Sequence, residues 1–288
     1  MGDQGKKYAE DKAIMEQTLR GEPFRKYDAY FCLAREKRHG VCVLVKKGLD
    51  KPIRVARTLS LDGSDETVDE IDTCEGRVLL LEFEKLIVLN TYVPHNGSNP
   101  ERWQKRALWD FRVQKFLKYY KGKKDIIWMG DLNVAHRELD VSSPSTMTEW
   151  GGFTLPERRR FTDILADSEM VDAYRELHGD RQTFTWRGGS PIGGGWSGMR
   201  LDYYVVPKTF VHRLKTCETS TDIFDDETAR TKPVSCFFGS DHCALYLTLH
   251  KRDQTATATT VKHEEDEQKS KRAKPNNADA EDVIVLSP

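Results

Sequence analysis

Short apolar runs of about strand length, each bounded by polar or turn-forming residues, constrain this chain more than any other feature. They recur as VCVLV at Val41 to Val45, RVLLLEF at Arg77 to Phe83, LIVLNTYV at Leu86 to Val93, DIIWM at Asp125 to Met129, LDYYVV at Leu201 to Val206 and CALYLTL at Cys243 to Leu249. Their length and β-branched content predict strands. None is long enough to cross a bilayer as a helix, so no membrane partner is expected.

Two helices are predicted between the strands. Asn99-Pro100-Glu101 supplies an N-cap, a first-turn proline and an acid, and the helix runs to about Tyr120 with Trp109, Val113, Phe116 and Tyr120 on one stripe. A second runs from about Pro156 to Asp167 with Phe161 and Leu165 inward. Strands and helices in this order imply two packed sheets with helices outside, an α/β architecture without uniform βαβ alternation. With 288 residues, one large domain is expected.

Lys plus Arg number 45 against 46 for Asp plus Glu, so no global basic field advertises a nucleic acid, and any such site must be local. The six cysteines form no C-x-x-C pair, which fits free thiols in a reducing compartment. From Lys251 the composition shifts to a mixed-charge stretch without aromatics, expected to be disordered. Within it, Lys269 to Lys274 (KSKRAK) resembles a nuclear import cluster. The terminal Val283–Leu286 run beside Asp279, Glu281 and Asp282 reads as a strand that adds to a partner's sheet edge and resembles a SUMO-interacting motif.

Polar residues gather where the strands end: Tyr92, Asp131 and Asn133, Asp202, and Asp241 with His242. Singly, such an Asp is most often a turn or helix cap. Together they form a set suited to metal-assisted hydrolysis of a phosphodiester. Asp131 is the candidate base for water, and Asn133 follows at strand spacing to fix the water or the phosphate. A protonated His242 backed by Asp202 is the donor to a phosphoryl oxygen. The oxygen-rich ligand set implies Mg2+, with Mn2+ as substitute.

GDLNVAHRELD, GGFTLPERRRF, FTW at Phe184 to Trp186, RLDYYVV and GSDHC together resemble the exonuclease III family of apurinic/apyrimidinic endonucleases, from about Gly40 to Leu249. The resemblance implies the four-layer α/β-sandwich of the endonuclease/exonuclease/phosphatase fold. It implies magnesium-dependent cutting 5′ to abasic sites in duplex DNA, with 3′–5′ exonuclease or 3′-phosphodiesterase activity as companions, in a nuclear, monomeric repair enzyme. Tyr92, Asp131, Asn133, Asp202 and His242 fall on its catalytic positions and Asp241 on an acidic neighbour of its metal. Trp186 falls on an aromatic wall of its abasic pocket. His95, Asn96, Met199 and Arg200 occupy substrate-side positions where this chain departs from the family pattern, and Ser142, Ser143 and Arg200 are expected to compensate for missing phosphate-gripping asparagines.

The family holds its metal mainly through a glutamate on an early strand, for which MGDQGKKYA offers no strand pattern; Glu10 is the candidate substitute ligand. The expected organisation is a remnant N-terminal segment of the catalytic domain over residues 1–39, the catalytic domain over 40–250 and a tail over 251–288. The expected consequence of an N-terminally incomplete sandwich is low stability and weak or absent activity, leaving a nuclear DNA-binding or SUMO-interacting protein as the alternative role.

Overall fold

The computed structural model describes residues 3–34, 39–59, 61, 75–97, 99–189, 196–223, 237, 239–251 and 282–286, with residues 3–11, 189, 196 and 282–286 described by their backbone alone. Helix α1 (Asp3–Arg20) precedes a hairpin of β1 (Tyr27–Leu33) and β2 (Gly40–Lys46). Strands β3 (Arg54–Ala56), β4 (Val78–Glu82) and β5 (Leu86–Thr91) follow, then α2 (Pro100–Tyr120) and β6 (Asp125–Asp131). Next come α3 (Leu155–Ser168), β7 (Met170–Asp172), α4 (Ala173–His178), β8 (Trp186–Gly189), β9 (Trp196–Met199) and β10 (Asp202–Pro207). The described elements close with β11 (Leu214–Thr219), the short α5 (Ser220–Ile223), β12 (Leu245–Leu249) and β13 (Asp282–Leu286).

A six-stranded mixed sheet in the order β3-β4-β5-β6-β10-β7 forms the centre, with β5 and β6 parallel and the other pairs antiparallel. Side chains alternate across it. Leu80, Leu89, Trp128, Tyr203 and Val205 face one way, onto Trp109, Val113 and Phe116 of α2 and Phe161 and Ile164 of α3. Leu79, Leu81, Val88, Ile127, Met129 and Tyr204 face the other way, onto Cys32 and Val41 of the β1–β2 hairpin and Cys217, Leu245 and Leu247 of β11 and β12. Burial on both faces is why the central strands read as continuous apolar runs. Helix α1 lines a cleft with the outer face of β1 through Leu19, Tyr27 and Phe31. The expected mixed sheets flanked by helices are therefore present.

Both predicted helices form with the local chemistry read from them. The Asn99 side chain accepts from Glu101 N at 2.9 Å, and Thr154 and Glu157 make a capping box at the start of α3. Six strands escaped the sequence reading: β1, β3, β7, β8, β9 and β11. Most are three or four residues long or carry polar residues such as Asp28 and Lys215, too little pattern to register. Asp282–Leu286, inside the segment expected to be disordered, pairs antiparallel with β12, its β-branched run matching Leu245 to Leu249 residue for residue. The Lys269 to Lys274 cluster lies outside the described residues. Among the described residues no helix is long and apolar enough to cross a membrane.

Candidate active site

The site forms at one end of the sheet, where β5 and β6 end and the antiparallel β10 begins. Asp131 and Asp202 are register partners on the antiparallel strands β6 and β10, so their side chains leave the same face as neighbours. Gly130 lets β6 reach that point. Its φ is +121°, and a Cβ there would sit 2.1 Å from Thr91 O, so no side chain fits.

Asn133 adopts the left-handed region at φ +46°, which Asn tolerates better than most residues. That turn brings its backbone N to Asp131 Oδ1 (2.9 Å) and its Nδ2 to Asp131 Oδ2 (3.2 Å) and Val93 O (2.8 Å). Expected to hold water or phosphate, the amide donors of Asn133 instead fix Asp131 and join the β6 loop to the loop after β5. Tyr92 lies in that second loop. Its phenol is within hydrogen-bonding reach of Asn133, and burial and the Asp131 charge raise its pKa. Arg77 stacks on the Tyr92 ring at 4.8 Å and donates to Tyr92 O at 2.9 Å.

On the other side, His242 Nδ1 bonds Asp202 Oδ2 at 2.8 Å. Burial alone would lower the imidazole, but Asp202 and then Asp131 hold it up at about 9, so it is cationic at neutral pH. Asp131 moves the other way: burial and the Asp202 charge raise its carboxyl to about 7. A base that is half ionised near neutral pH thus stands beside a charged imidazole. Asp241 is exposed, and Trp186 Nε1 donates to its Oδ2 at 3.2 Å. Trp186, half-buried, bridges the His242 backbone.

The structure brings Tyr92, Asp131, Asn133, Asp202, His242, Asp241 and Trp186 together, and it corrects two substrate-side expectations. Arg200 is 1% exposed, with Nε on Asp140 Oδ1 at 2.8 Å and Nη2 on Asp172 Oδ2 at 2.6 Å, so its charge is spent inside the protein. Met199 is buried among Val141, Met147 and Phe153 and offers its side chain to the core. Ser142 cannot replace a phosphate-gripping asparagine freely either, because its Oγ accepts from Gly198 N at 3.0 Å. His95 is exposed at the rim beside Gly151, and its Nδ1 accepts from Gly97 N at 3.0 Å. Asn96 is buried, and its Oδ1 has no hydrogen-bond partner among the described residues.

Glu10 lies on α1, a helix and not a strand end, and its side chain is outside the described residues. Among the described residues no three of His, Cys, Asp and Glu are grouped as a metal cage. The donor set nonetheless fits a hard divalent cation. Asp131 is raised by burial and by the adjacent Asp202 charge, a pair that a cation would relieve, and magnesium binds through one or two carboxylates while keeping water and phosphate oxygens for its remaining positions.

Sequence reasoning missed Arg106, which is 2% exposed beneath the site loops. Its signal was available: it lies three residues before Trp109, on the apolar stripe of α2, where a charge needs a buried partner.

Residues 7–242 match the Endonuclease/Exonuclease/phosphatase family. The chain belongs to this family. Within it, a DNA-(apurinic or apyrimidinic site) endonuclease of Arabidopsis thaliana is 36% identical over 273 residues, covering 87% of this chain and 70% of the relative. An exodeoxyribonuclease of Bacillus subtilis is 29% identical, covering 78% of this chain and 80% of that one. Among solved structures, the AP endonuclease LMAP of Leishmania major superposes with a TM-score of 0.61 at 26% identity, covering 81% of this chain and 72% of that chain. The resemblance read from the motifs is borne out, and the enzyme class, a hydrolase of this nuclease family, follows with it.

Proposed function

We propose that this endonuclease/exonuclease/phosphatase family member hydrolyses DNA phosphodiesters 5′ to abasic sites in duplex DNA, with Mg2+ as its ion and Mn2+ as a substitute. The observation that carries the reading is the pairing of Asp131, raised to about 7, with His242, held at about 9. The names of the Arabidopsis and Bacillus relatives support the DNA substrate and a companion exonuclease activity.

In this mechanism Asp131, aimed by both Asn133 donors, takes the proton of the attacking water. The His242 imidazolium, oriented by Asp202, donates to a non-bridging phosphoryl oxygen, and the Tyr92 phenol is placed to donate beside it. Trp186, whose backbone bridges His242 and whose Nε1 holds Asp241, is assigned to the wall for a flipped-out sugar. His95 and Asn96 border the same loop and are assigned to the substrate rim. Asp131, Asp202 and the exposed Asp241 are the carboxylates available to the cation, which when bound neutralises charge on the leaving oxygen. Replacing Glu10 by Ala decides whether α1 adds a ligand.

The test is a duplex with one abasic analogue beside the same duplex undamaged, with and without magnesium. Selective, magnesium-dependent incision 5′ to the lesion is expected. Equal cutting of both duplexes, or better cutting of RNA, removes the abasic-site assignment.

A second reading concerns the tail. Docking of Val283–Leu286 to the sheet edge of a SUMO-type partner is supported by β13, which already adopts a strand and adds to the edge of β12. Titration of a peptide covering Ala278 to Pro288 with SUMO tests it, and absence of saturable binding rejects it. A nuclear site of action is proposed from the DNA substrate and the KSKRAK cluster, a monomer from the family resemblance; imaging of a tagged chain and sedimentation check them.

A further inference from the structure

We propose that Arg106 is a positioning residue that locks the two catalytic loops of the site together from below. The inference rests on the nuclease reading for its kinetic consequence but on geometry alone for its physical content.

Arg106 lies on the buried face of α2, and its guanidinium reaches three backbone carbonyls. Nη1 donates to Pro94 O at 3.2 Å and to Asn133 O at 2.8 Å, and Nη2 donates to Leu132 O at 3.1 Å. Pro94 belongs to the loop that carries Tyr92, His95 and Asn96. Leu132 and Asn133 belong to the loop that carries Asp131. One rigid, planar fork therefore spans both loops, a task for which a guanidinium has five donors in fixed directions.

The fork is itself held from behind. Nε donates to Asp110 Oδ1 at 2.8 Å, one helical turn along α2, and Asp110 Oδ2 is held in turn by Arg160 Nε of α3 at 2.8 Å. Glu157 Oε1 lies 3.7 Å from Nη1. The other Glu157 oxygen accepts from Gly152 N at 2.9 Å, and Gly152 O accepts from Ala135 N at 2.7 Å. A third loop, between the 3-10 turn at Glu138–Asp140 and α3, is tied to the same charge cluster.

Burying an arginine costs desolvation that its ion pairs scarcely repay, so a buried cluster of this kind is weakly accounted for by stability alone. Its carbonyl contacts fall on the residues whose placement sets the angle of Asp131 and Tyr92. Misplacing a catalytic group by about 1 Å can cost on the order of 100-fold in rate. Arg106 is buried beneath the loops and does not open onto the surface of the site. It acts through the backbone that Asn133 uses to aim Asp131.

The experiment uses the full chain carrying Arg106→Lys. Lysine keeps a positive charge against Asp110 and Glu157, but its three donors radiate from one point, so it cannot hold Asp110 Oδ1 together with Pro94 O, Leu132 O and Asn133 O as the four guanidinium bonds do. With the thermal midpoint close to that of the unsubstituted chain, the amides of Val93, residues 95–97 and residues 131–135 are expected to exchange at least ~10-fold faster while those of β4 and β5 are unchanged. On an abasic duplex kcat falls by about 10- to 100-fold with KM within about 3-fold, because alignment is lost and phosphate grip is not. Should Arg106→Lys not fold, Asp110→Asn loosens the Nε anchor and leaves the guanidinium in place, with the same exchange pattern expected. Unchanged exchange in both loops, in whichever of the two variants folds, overturns the proposal. The exchange readout stands even where no abasic-site cutting is found, so failure of the nuclease reading is separable from failure of this one.

Discussion

Asp131 and Asp202 stand opposite each other on β6 and β10, and each is tied to a different helper: Asp131 to Asn133, Asp202 to His242 at 2.8 Å. Two like charges placed side by side take opposite roles because only one has an imidazolium bonded to it. His242 bonds Asp202, and Asp131, raised by burial and by the Asp202 charge beside it, carries the shifted pKa.

The first prediction is a bell-shaped pH profile of kcat/KM. The base must be ionised and the imidazole protonated, so the acid limb falls near 7 for Asp131 and the alkaline limb near 9 for His242. In Asp202→Asn both limbs move to lower pH: Asp131 loses its repelling neighbour and His242 its supporting anion. Steady-state assays from pH 5 to about 10 on an abasic duplex check this, and limbs that stay in place in Asp202→Asn contradict it.

Asp131→Asn is predicted to lower kcat by about 1,000-fold or more while raising thermal stability above neutral pH. The sign follows from linkage. A carboxyl whose folded pKa lies above its unfolded value makes the folded state bind more protons, so its contribution to stability is lost as pH rises from the unfolded value toward 7. Asparagine removes that loss. The gap in melting temperature between variant and parent therefore widens from pH 4 to pH 8, which differential scanning fluorimetry measures directly. A constant gap refutes the electrostatic account.

Gly130→Ala is predicted to destabilise the fold by several kcal/mol, about 3 or more. Its Cβ would meet Thr91 O at 2.1 Å, at a φ of +121° that side chains avoid. Urea denaturation reads the loss, and a midpoint matching the parent would show that β5 and β6 have room to separate.

Arg200→Ala is predicted to reduce stability by roughly 3–5 kcal/mol, because buried Asp172 would lose its ion-pair partner and buried Asp140 would keep only Arg175. Affinity for duplex DNA in the folded protein should be unchanged. A fluorescence-anisotropy titration showing weaker DNA binding at full foldedness would restore Arg200 to the substrate side.

Removal of residues 282–288 is predicted to expose the edge of β12. The amides of Leu245 to Leu249 that pair with β13 lose hydrogen-exchange protection, while β4 and β5 keep theirs. Equal protection in both chains would mean that the tail strand does not close this edge in solution.

Much of this protein is determined by the sequence alone, for local reasons. The apolar runs at Val78–Glu82, Leu86–Thr91 and Asp125–Asp131 name their own strands because both faces of the central sheet are buried. Asn99-Pro100-Glu101 names the start of α2 because caps are chemical events within three residues. The candidate site residues were legible because each lies at the end or just ahead of an apolar run, where a polar group has no packing role. Tertiary structure alone decided what the polar side chains do with their charge. Arg200 reads as a phosphate-facing cation until Asp140 and Asp172, 60 and 28 residues away in the chain, are seen to consume it. Asn133 reads as a ligand of substrate until Val93 O and Asp131 claim its amide. The stripe of α2 marks Arg106 as buried, but only the folded chain shows the three carbonyls from two loops that converge on it. A sequence records which groups are polar, but satisfaction of a buried donor depends on acceptors brought from distant positions, and only the folded chain supplies them.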